Sequence, residues 1–342
     1  MPTPRSSAVN AFKHVWHHGG LVALARRLQG RRGAILRYHS VTDDERATLG
    51  YLDSGLMVTA GAFESQLRYV KRHYNVVPLD EMVDRIHAGR SLPRRAAAIT
   101  FDDGYRDNYT QAYRLLRAEG LPATFYVTTG ALDGGPPLWT AKLRYMVRTS
   151  TRERVVLPAG LGSEVSVGQP AERQAVFTSL IVALKHVPST RRCELVEELA
   201  VAFGVSDFSA LDGIMMSWDE LREMSANGMT IGAHTVSHPN LPKTDVEEAT
   251  REVCQSRDMI AEQLGVPVAH FSYPNGRGAA HMNDTVREIV RRAGFRSAVT
   301  SLPGCVEVGA DPWTLKRVGI YNRHRDLRSF SLDVERARLK TA

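Results

Sequence analysis

Short apolar runs alternate along the chain with segments in which apolar residues recur every three or four positions. The runs lie at residues 34–39, 75–77, 96–101, 123–127, 229–233, 271–273 and 297–299. Runs of this length predict strands, and the periodic segments between them predict amphipathic helices. Thr244 followed by Glu247 predicts a capping box at the start of one such helix. Repeated strand–helix units predict a parallel sheet, either open or closed into a barrel.

The alternation breaks between the two halves of the chain, where two amphipathic helices are predicted. We expect this insertion to form a cap or a side subdomain. The positively charged neighbours of His324 suggest an exposed C-terminal tail. The predicted divisions are a basic helical arm at 1–32, the first half of an α/β core at 33–142, a helical insertion at 143–213, the second half at 214–322 and a basic tail at 323–342.

Charge is concentrated at the N-terminus. The chain of 342 residues has a net charge of +7. Positions 1–42 contain seven basic residues and no acidic ones. Such an arm could contact an anionic membrane surface. The alternative interpretation is a solvated helix that docks on the rest of the protein. A nucleic-acid binder is the weakest alternative, because no aromatic platform accompanies the charge; we expect no nucleic acid partner.

Cysteine content and hydropathy bear on the compartment. The three cysteines are far apart and form no CxxC pair, which argues against a disulfide framework and suits a reducing compartment. No apolar run reaches the ~18 residues of a membrane span, and the first residues lack the apolar core of a signal peptide. We therefore expect a cytoplasmic protein, at the inner membrane face if the arm binds lipid.

Three polar clusters follow separate predicted strands, where barrels of this class build their active sites. They are Thr-Phe-Asp-Asp-Gly at 100–104, His-Thr-Val-Ser-His-Pro at 234–239 and Phe-Ser-Tyr-Pro-Asn-Gly at 271–276. Taken singly, the first and third favour ordinary turns. Pro239 makes the second a loop, which can aim both imidazoles at one ion, although histidine pairs also serve as hydrogen-bonded structural residues. Asp103, His234 and His238 would then form a two-histidine, one-carboxylate site for Zn²⁺, Co²⁺, Ni²⁺ or Fe²⁺, with zinc preferred.

The three clusters together resemble the polysaccharide deacetylase family, the NodB-homology hydrolases of carbohydrate esterase family 4. The resemblance implies a distorted (β/α)7-type barrel and metal-dependent removal of acetyl groups from N-acetylated sugars. It implies that Asp102 is the general base, that Asp103, His234 and His238 hold the metal, and that the backbone N–H of Asn275 stabilises the oxyanion.

Two positions depart from the family pattern. Ser272 stands where many members have an arginine that orients the catalytic aspartate, and residues 317–321 lack the late histidine that acts as general acid. Arg317 could take the orienting role. His39 follows Tyr38 at the end of the first strand, which resembles the rearranged exopolysaccharide deacetylases, such as the poly-N-acetylglucosamine deacetylases. That resemblance implies that His39 is the general acid; a buried structural histidine is the alternative.

The expected activity is hydrolysis of the N-acetyl group of an N-acetylated glycan or of its lipid-linked precursor, as in exopolysaccharide biosynthesis. An O-acetyl carbohydrate esterase and a catalytically inactive carbohydrate-binding protein are the alternatives. Asp102 argues against the inactive protein, since a metal-binding shell alone would not require it.

Overall fold

The computed structural model describes residues 32–339. The basic arm predicted at 1–32 lies outside the described residues except for Arg32, and so does the end of the predicted tail. None of the helices in the described part is long and apolar enough to cross a membrane.

The strands are β1 (Ala34–Tyr38), β2 (Ser40–Thr42), β3 (Met57–Thr59), β4 (Asn75–Val76), β5 (Ala96–Phe101), β6 (Thr124–Val127), β7 (Arg154–Val156), β8 (Glu164–Ser166), β9 (Thr230–Ala233), β10 (His270–Ser272), β11 (Ser297–Pro303) and β12 (Leu315–Gly319). The helices are α1 (Glu45–Thr48), α2 (Ala60–His73), α3 (Leu79–His87), α4 (Arg114–Glu119), α5 (Trp139–Thr149), α6 (Pro170–Lys185), α7 (Ser189–Phe203), α8 (Trp218–Ala226), α9 (Val246–Leu264), α10 (Asp284–Arg292) and α11 (Leu327–Leu339).

Seven of the described strands close into a parallel barrel in the order β1–β5–β6–β9–β10–β11–β12 and back to β1. The prediction of a (β/α)7-type barrel is confirmed. β4 pairs with the start of β5 outside this ring. Because all the strands of the ring run in the same direction, their carboxyl ends meet at one rim.

Burial on both faces explains why the barrel strands are so uniformly apolar. All six residues of β5 are buried, as expected for a strand covered on both faces. Phe101 stacks on Phe125 with ring centroids 4.6 Å apart. Close packing also requires Gly232 in β9, because a Cβ there would lie 2.6 Å from the Tyr126 ring.

The segment between β6 and β9 has a small apolar core of its own. Helices α5, α6 and α7 and the antiparallel pair β7–β8 enclose Leu143, Val155, Leu180 and Leu199. Helices α6 and α7 correspond to the two amphipathic helices predicted here, whereas the β7–β8 pair was not predicted. The indole Nε1 of Trp139, at the start of α5, donates to the carbonyl of His238 at 3.1 Å and so ties this segment to the barrel rim.

Two local predictions were wrong. The N-cap of α9 is Asp245, whose side chain accepts from the Glu248 amide at 2.7 Å, and not Thr244. His324 is fully buried rather than part of an exposed tail, with its Nε2 2.9 Å from Asp333. The reason is that α11 folds back onto the barrel, where Phe330 is buried.

Candidate active site

The carboxyl ends of the barrel strands surround a cavity of about 1180 Å³. It is lined by every residue for which the sequence predicted a role: His39, Asp102, Asp103, His234, His238, Asn275 and Arg317. Helix α6 forms part of the wall through Phe177, Ile181 and Lys185. The cavity is thus shared between the barrel and the inserted segment.

Asp103, His234 and His238 form a compact group of potential ligands. The Nε2 atoms of His234 and His238 lie 3.4 Å and 3.5 Å from Asp103 Oδ1. The Nδ1 of His234 is 2.6 Å from the Ser272 carbonyl, which can only accept a hydrogen bond. The proton of His234 therefore resides on Nδ1, and the Nε2 lone pair faces Asp103, as a metal-binding histidine requires.

The protonation states of the group also suit a cation. Burial lowers the pKa of His238 to about 3, so its imidazole is neutral. Burial alone would raise the pKa of Asp103, but the surrounding histidines lower it to about 2. One carboxylate and two imidazoles are a ligand set that fits a divalent transition metal such as zinc.

The backbone around this group is strained. Six non-glycine residues in the described part have positive φ, and four of them belong to the three motifs: Asp103 (79°), Thr235 (67°), His238 (56°) and Asn275 (62°). Thr235 is β-branched, for which this region is especially unfavourable. Strain of this kind persists only where surrounding contacts enforce it, and it is concentrated at functional sites.

Glu252 on α9 supplies such contacts to the histidine loop. Its Oε2 accepts from the amides of Val236 and Ser237 at 2.7 Å and 2.9 Å, and its Oε1 accepts from the Ser237 hydroxyl at 2.6 Å. Sequence reasoning missed this residue, because a glutamate on an amphipathic helix carries no signal for a loop partner fifteen residues away.

Asp102 is held by a two-point ion pair with Arg317. The Arg317 Nη1 and Nη2 atoms lie 2.7 Å and 2.6 Å from Asp102 Oδ1 and Oδ2. Nη2 also donates to the Ser272 hydroxyl at 3.1 Å. Burial alone would raise the pKa of Asp102, but the Arg317 guanidinium outweighs this and holds the pKa well below its usual range. Asp102 is therefore ionised and fixed in orientation.

Asn275, in the motif at 271–276, offers hydrogen-bond donors that have no partner within residues 32–339. Among the described residues, none accepts a hydrogen bond from its backbone N–H or from its buried Nδ2. Asparagine tolerates the left-handed backbone that turns this N–H outward, and the residue lines the cavity.

His39 is buried in the same cavity at the end of β1. Its Nδ1 has no hydrogen-bond partner in the described part of the chain, and its carbonyl accepts from Asn108 at 2.7 Å. Burial lowers the pKa of His39 to about 4, with Asp103 opposing the shift. The imidazole is therefore neutral near pH 7.

Comparison with protein families gives a match in two ranges of the chain. The family model described as polysaccharide deacetylase matches residues 89–149 and 195–298. The unmatched stretch between these ranges lies within the segment that separates the two halves of the barrel.

Relatives and solved structures agree with this match. YxkH of Bacillus subtilis, whose name assigns it to the polysaccharide deacetylases, is 21% identical over 287 residues, covering 84% of this chain and 70% of that protein. The poly-beta-1,6-N-acetyl-D-glucosamine N-deacetylase of Escherichia coli is 28% identical over 111 residues, covering 32% of this chain and only 14% of that enzyme. The deacetylase PplD of Streptococcus pyogenes, solved with acetate, superposes with a TM-score of 0.58 at 19% identity, covering 89% of this chain and 97% of that structure.

Proposed function

The chain belongs to the polysaccharide deacetylase family, and from this premise we propose that it is a metal-dependent N-deacetylase that hydrolyses the N-acetyl group of an N-acetylated glycan. The observation that carries the proposal is the group Asp103, His234 and His238, which lies in one cavity with the Arg317-held carboxylate of Asp102. The Escherichia coli relative, which is named for an N-acetylated polymer, supports the amide as substrate.

Each protein group has a distinct task in this proposal. A divalent cation held by Asp103, His234 and His238 would polarise the acetyl carbonyl and make a nearby water easier to deprotonate, and zinc is our first choice. Asp102 accepts the proton of the attacking water, since among the described residues its Oδ2 receives a hydrogen bond from Arg317 alone and keeps a lone pair free. The Asn275 N–H donates to the acetyl oxygen as negative charge develops there.

Departure of the amine needs a proton, which we assign to His39. Because His39 is neutral near pH 7, the proton that it delivers must reach it during the turnover. The water proton taken up by Asp102 is the available source. On this assignment the net reaction converts water and an acetamide into acetate and a free amine.

His39→Ala should slow amide hydrolysis by roughly 10²–10⁴-fold, the range typical of general acid–base catalysis, because an amine leaves poorly unless it is protonated. Activated acetyl esters should be affected much less, since their leaving groups need no proton. The measurement is kcat for both substrate types, with His186→Ala as a control that lines the same cavity. Equal losses of kcat on amides and esters would indicate that His39 has a structural role and is not the general acid.

Arg317→Lys should lower kcat by about ten- to a hundredfold while KM changes little. Lysine keeps the positive charge but cannot hold both carboxylate oxygens at once. Arg323→Lys, at an arginine exposed on the surface, is the matched control. The acid limb of the pH–rate profile should shift upward if Arg317 acts through Asp102. An unshifted profile would contradict the positioning role.

Location and finer substrate choice stay predictions. We propose that the protein works in the cytoplasm or at the inner membrane face, where the basic arm would meet anionic lipid. The α6 wall of the cavity supports a short or lipid-linked substrate over a long soluble polymer. An O-acetyl ester remains the alternative that the ester assay above also measures.

A further inference from the structure

Arg37 presents a buried positive charge to the cavity, and the mechanism above does not use it. It lies on β1 with only 7% of its surface exposed, and it lines the cavity. Its Nη1 donates to the Ser301 hydroxyl and its Nη2 to the Tyr321 hydroxyl at 2.6 Å. Its Nε is buried and has no partner in the part of the chain that the structure describes. Both partners are hydroxyl groups, and neither is a carboxylate.

The charge of Arg37 is left unbalanced by its surroundings. Within residues 32–339 it forms no ion pair, and the carboxylate that attracts it, Asp102, is taken by both ends of the Arg317 fork. Burial and the charge of Arg317 both lower the pKa of Arg37. An unpaired buried cation costs far more free energy than a paired one, so such a group is normally matched by an anion.

Lys185 brings a second cation to the cavity from α6. Its carbonyl accepts from Asn240 Nδ2 at 2.6 Å, which fixes the end of the helix against the barrel rim. Lys185 lines the same cavity as His238 and Arg37. Like Arg37, it forms no ion pair among the described residues. By contrast, Arg32 and Arg323 at the rim are paired with Glu307 and Asp333.

We propose that the substrate carries an anionic group, a carboxylate or a phosphate, beside the acetylated sugar, and that Arg37 binds it while Lys185 adds a second positive charge to the same cavity. The inference rests on the proposed function, since it names the substrate class of the same cavity. The charge of the Arg37 guanidinium attracts either oxyanion, and its Nε–H is the donor without a partner among the described residues. A neutral glycan that filled this cavity would displace water from both cations and give neither a counter-charge.

The test compares three substrates of different charge. Acetate release is measured from neutral chitotetraose, from a heparosan tetrasaccharide, in which glucuronate alternates with N-acetylglucosamine, and from UDP-N-acetylglucosamine. We expect kcat/KM for at least one anionic substrate to exceed that for chitotetraose by about tenfold or more, with the preference shrinking in high salt. The anionic substrate that is preferred identifies carboxylate or phosphate as the ligand. Equal rates on all three would overturn the inference.

Substitutions of Arg37 and Lys185 test whether these two residues cause the preference for an anionic substrate. Arg37→Gln and Lys185→Gln should each lower kcat/KM for the preferred anionic substrate by about ten- to a hundredfold, and that for chitotetraose by less than about threefold. Arg251→Gln, on the exposed face of α9, is the control. If the buried position of Arg37 prevents Arg37→Gln from folding, Lys185→Gln gives the same test from a helix end. Parallel losses on charged and neutral substrates would contradict the proposal.

A binding measurement separates this inference from the proposed function. Calorimetric titration of the chelator-treated full chain with the same three compounds reports anion recognition without turnover. If no compound releases acetate but the anionic ones still bind more tightly in an Arg37-dependent way, the deacetylase assignment fails and the anion site stands. If acetate is released and binding shows no charge preference, the anion site fails alone.

Discussion

Asp102→Asn is expected to lower kcat for amide hydrolysis by roughly 10²–10⁴-fold while bound metal is retained. The amide of asparagine fits the same space but cannot accept the proton of the attacking water. Asp102 is the partner of Arg317 and does not belong to the Asp103, His234 and His238 group, so its loss should leave the ligands in place. The measurements are kcat from acetate release and metal content by mass spectrometry of the purified protein.

A matched control keeps this result interpretable. Asp212→Asn removes a carboxylate from the exposed surface and should change neither quantity. Circular dichroism of both variants checks that the fold persists, since Asp102→Asn also leaves Arg317 without its counter-charge. Loss of metal in Asp102→Asn as severe as that in Asp103→Asn would mean that the two acids have been assigned the wrong way round.

His234→Ala is expected to abolish both metal binding and turnover. Loss of an outer hydrogen bond around a metal typically costs about 10–100-fold in affinity, and loss of a ligand should cost more. Glu252→Gln provides the comparison, because Glu252 holds the histidine loop without facing the ion site. We expect it to weaken metal binding only within the ~10–100-fold range.

Zinc titration of the chelator-treated variants, followed by calorimetry, gives the affinities directly. His234→Ala that still binds one equivalent of zinc with unchanged affinity would show that the histidines do not form the ion site. The same preparations, assayed for acetate release, connect affinity to activity.

The sequence predicts those site residues that directly follow strands. Asp102 and Asp103 follow β5 and His234 follows β9, so the parallel strands bring these residues to one rim whatever the loops do. The structure explains how Ser272 can stand where many family members have an arginine. Ser272 is small and accepts from Arg317 Nη2, so the guanidinium from β12 reaches Asp102 across the barrel. The sequence offered Arg317 as a candidate, but only closure of the barrel brings β12 beside β1, one strand away from β5.

Other features depend on long-range packing that periodicity does not encode. Lys185 reads as the end of an amphipathic helix, and only the docking of the inserted segment brings it to the cavity. In the sequence, Arg37 is one polar position in a predicted buried strand. Only the structure shows which residues surround it, and that it forms no ion pair among the described residues. The cap of α9 differs by one residue from the predicted one, because Asp245 and Thr244 are both good capping residues and the backbone path decides between them.

The central claim, metal-dependent N-deacetylation, is tested most directly by counting amines and acetate together. An N-acetylglucosamine oligosaccharide, or the anionic substrate preferred above, is incubated with the protein as purified, after chelation, and after zinc is restored. The account predicts one new primary amine for each acetate released, loss of both with the chelator, and recovery with zinc in the wild type but not in His238→Ala. Acetate release that survives complete removal of metal, or that yields no new amine, would contradict it.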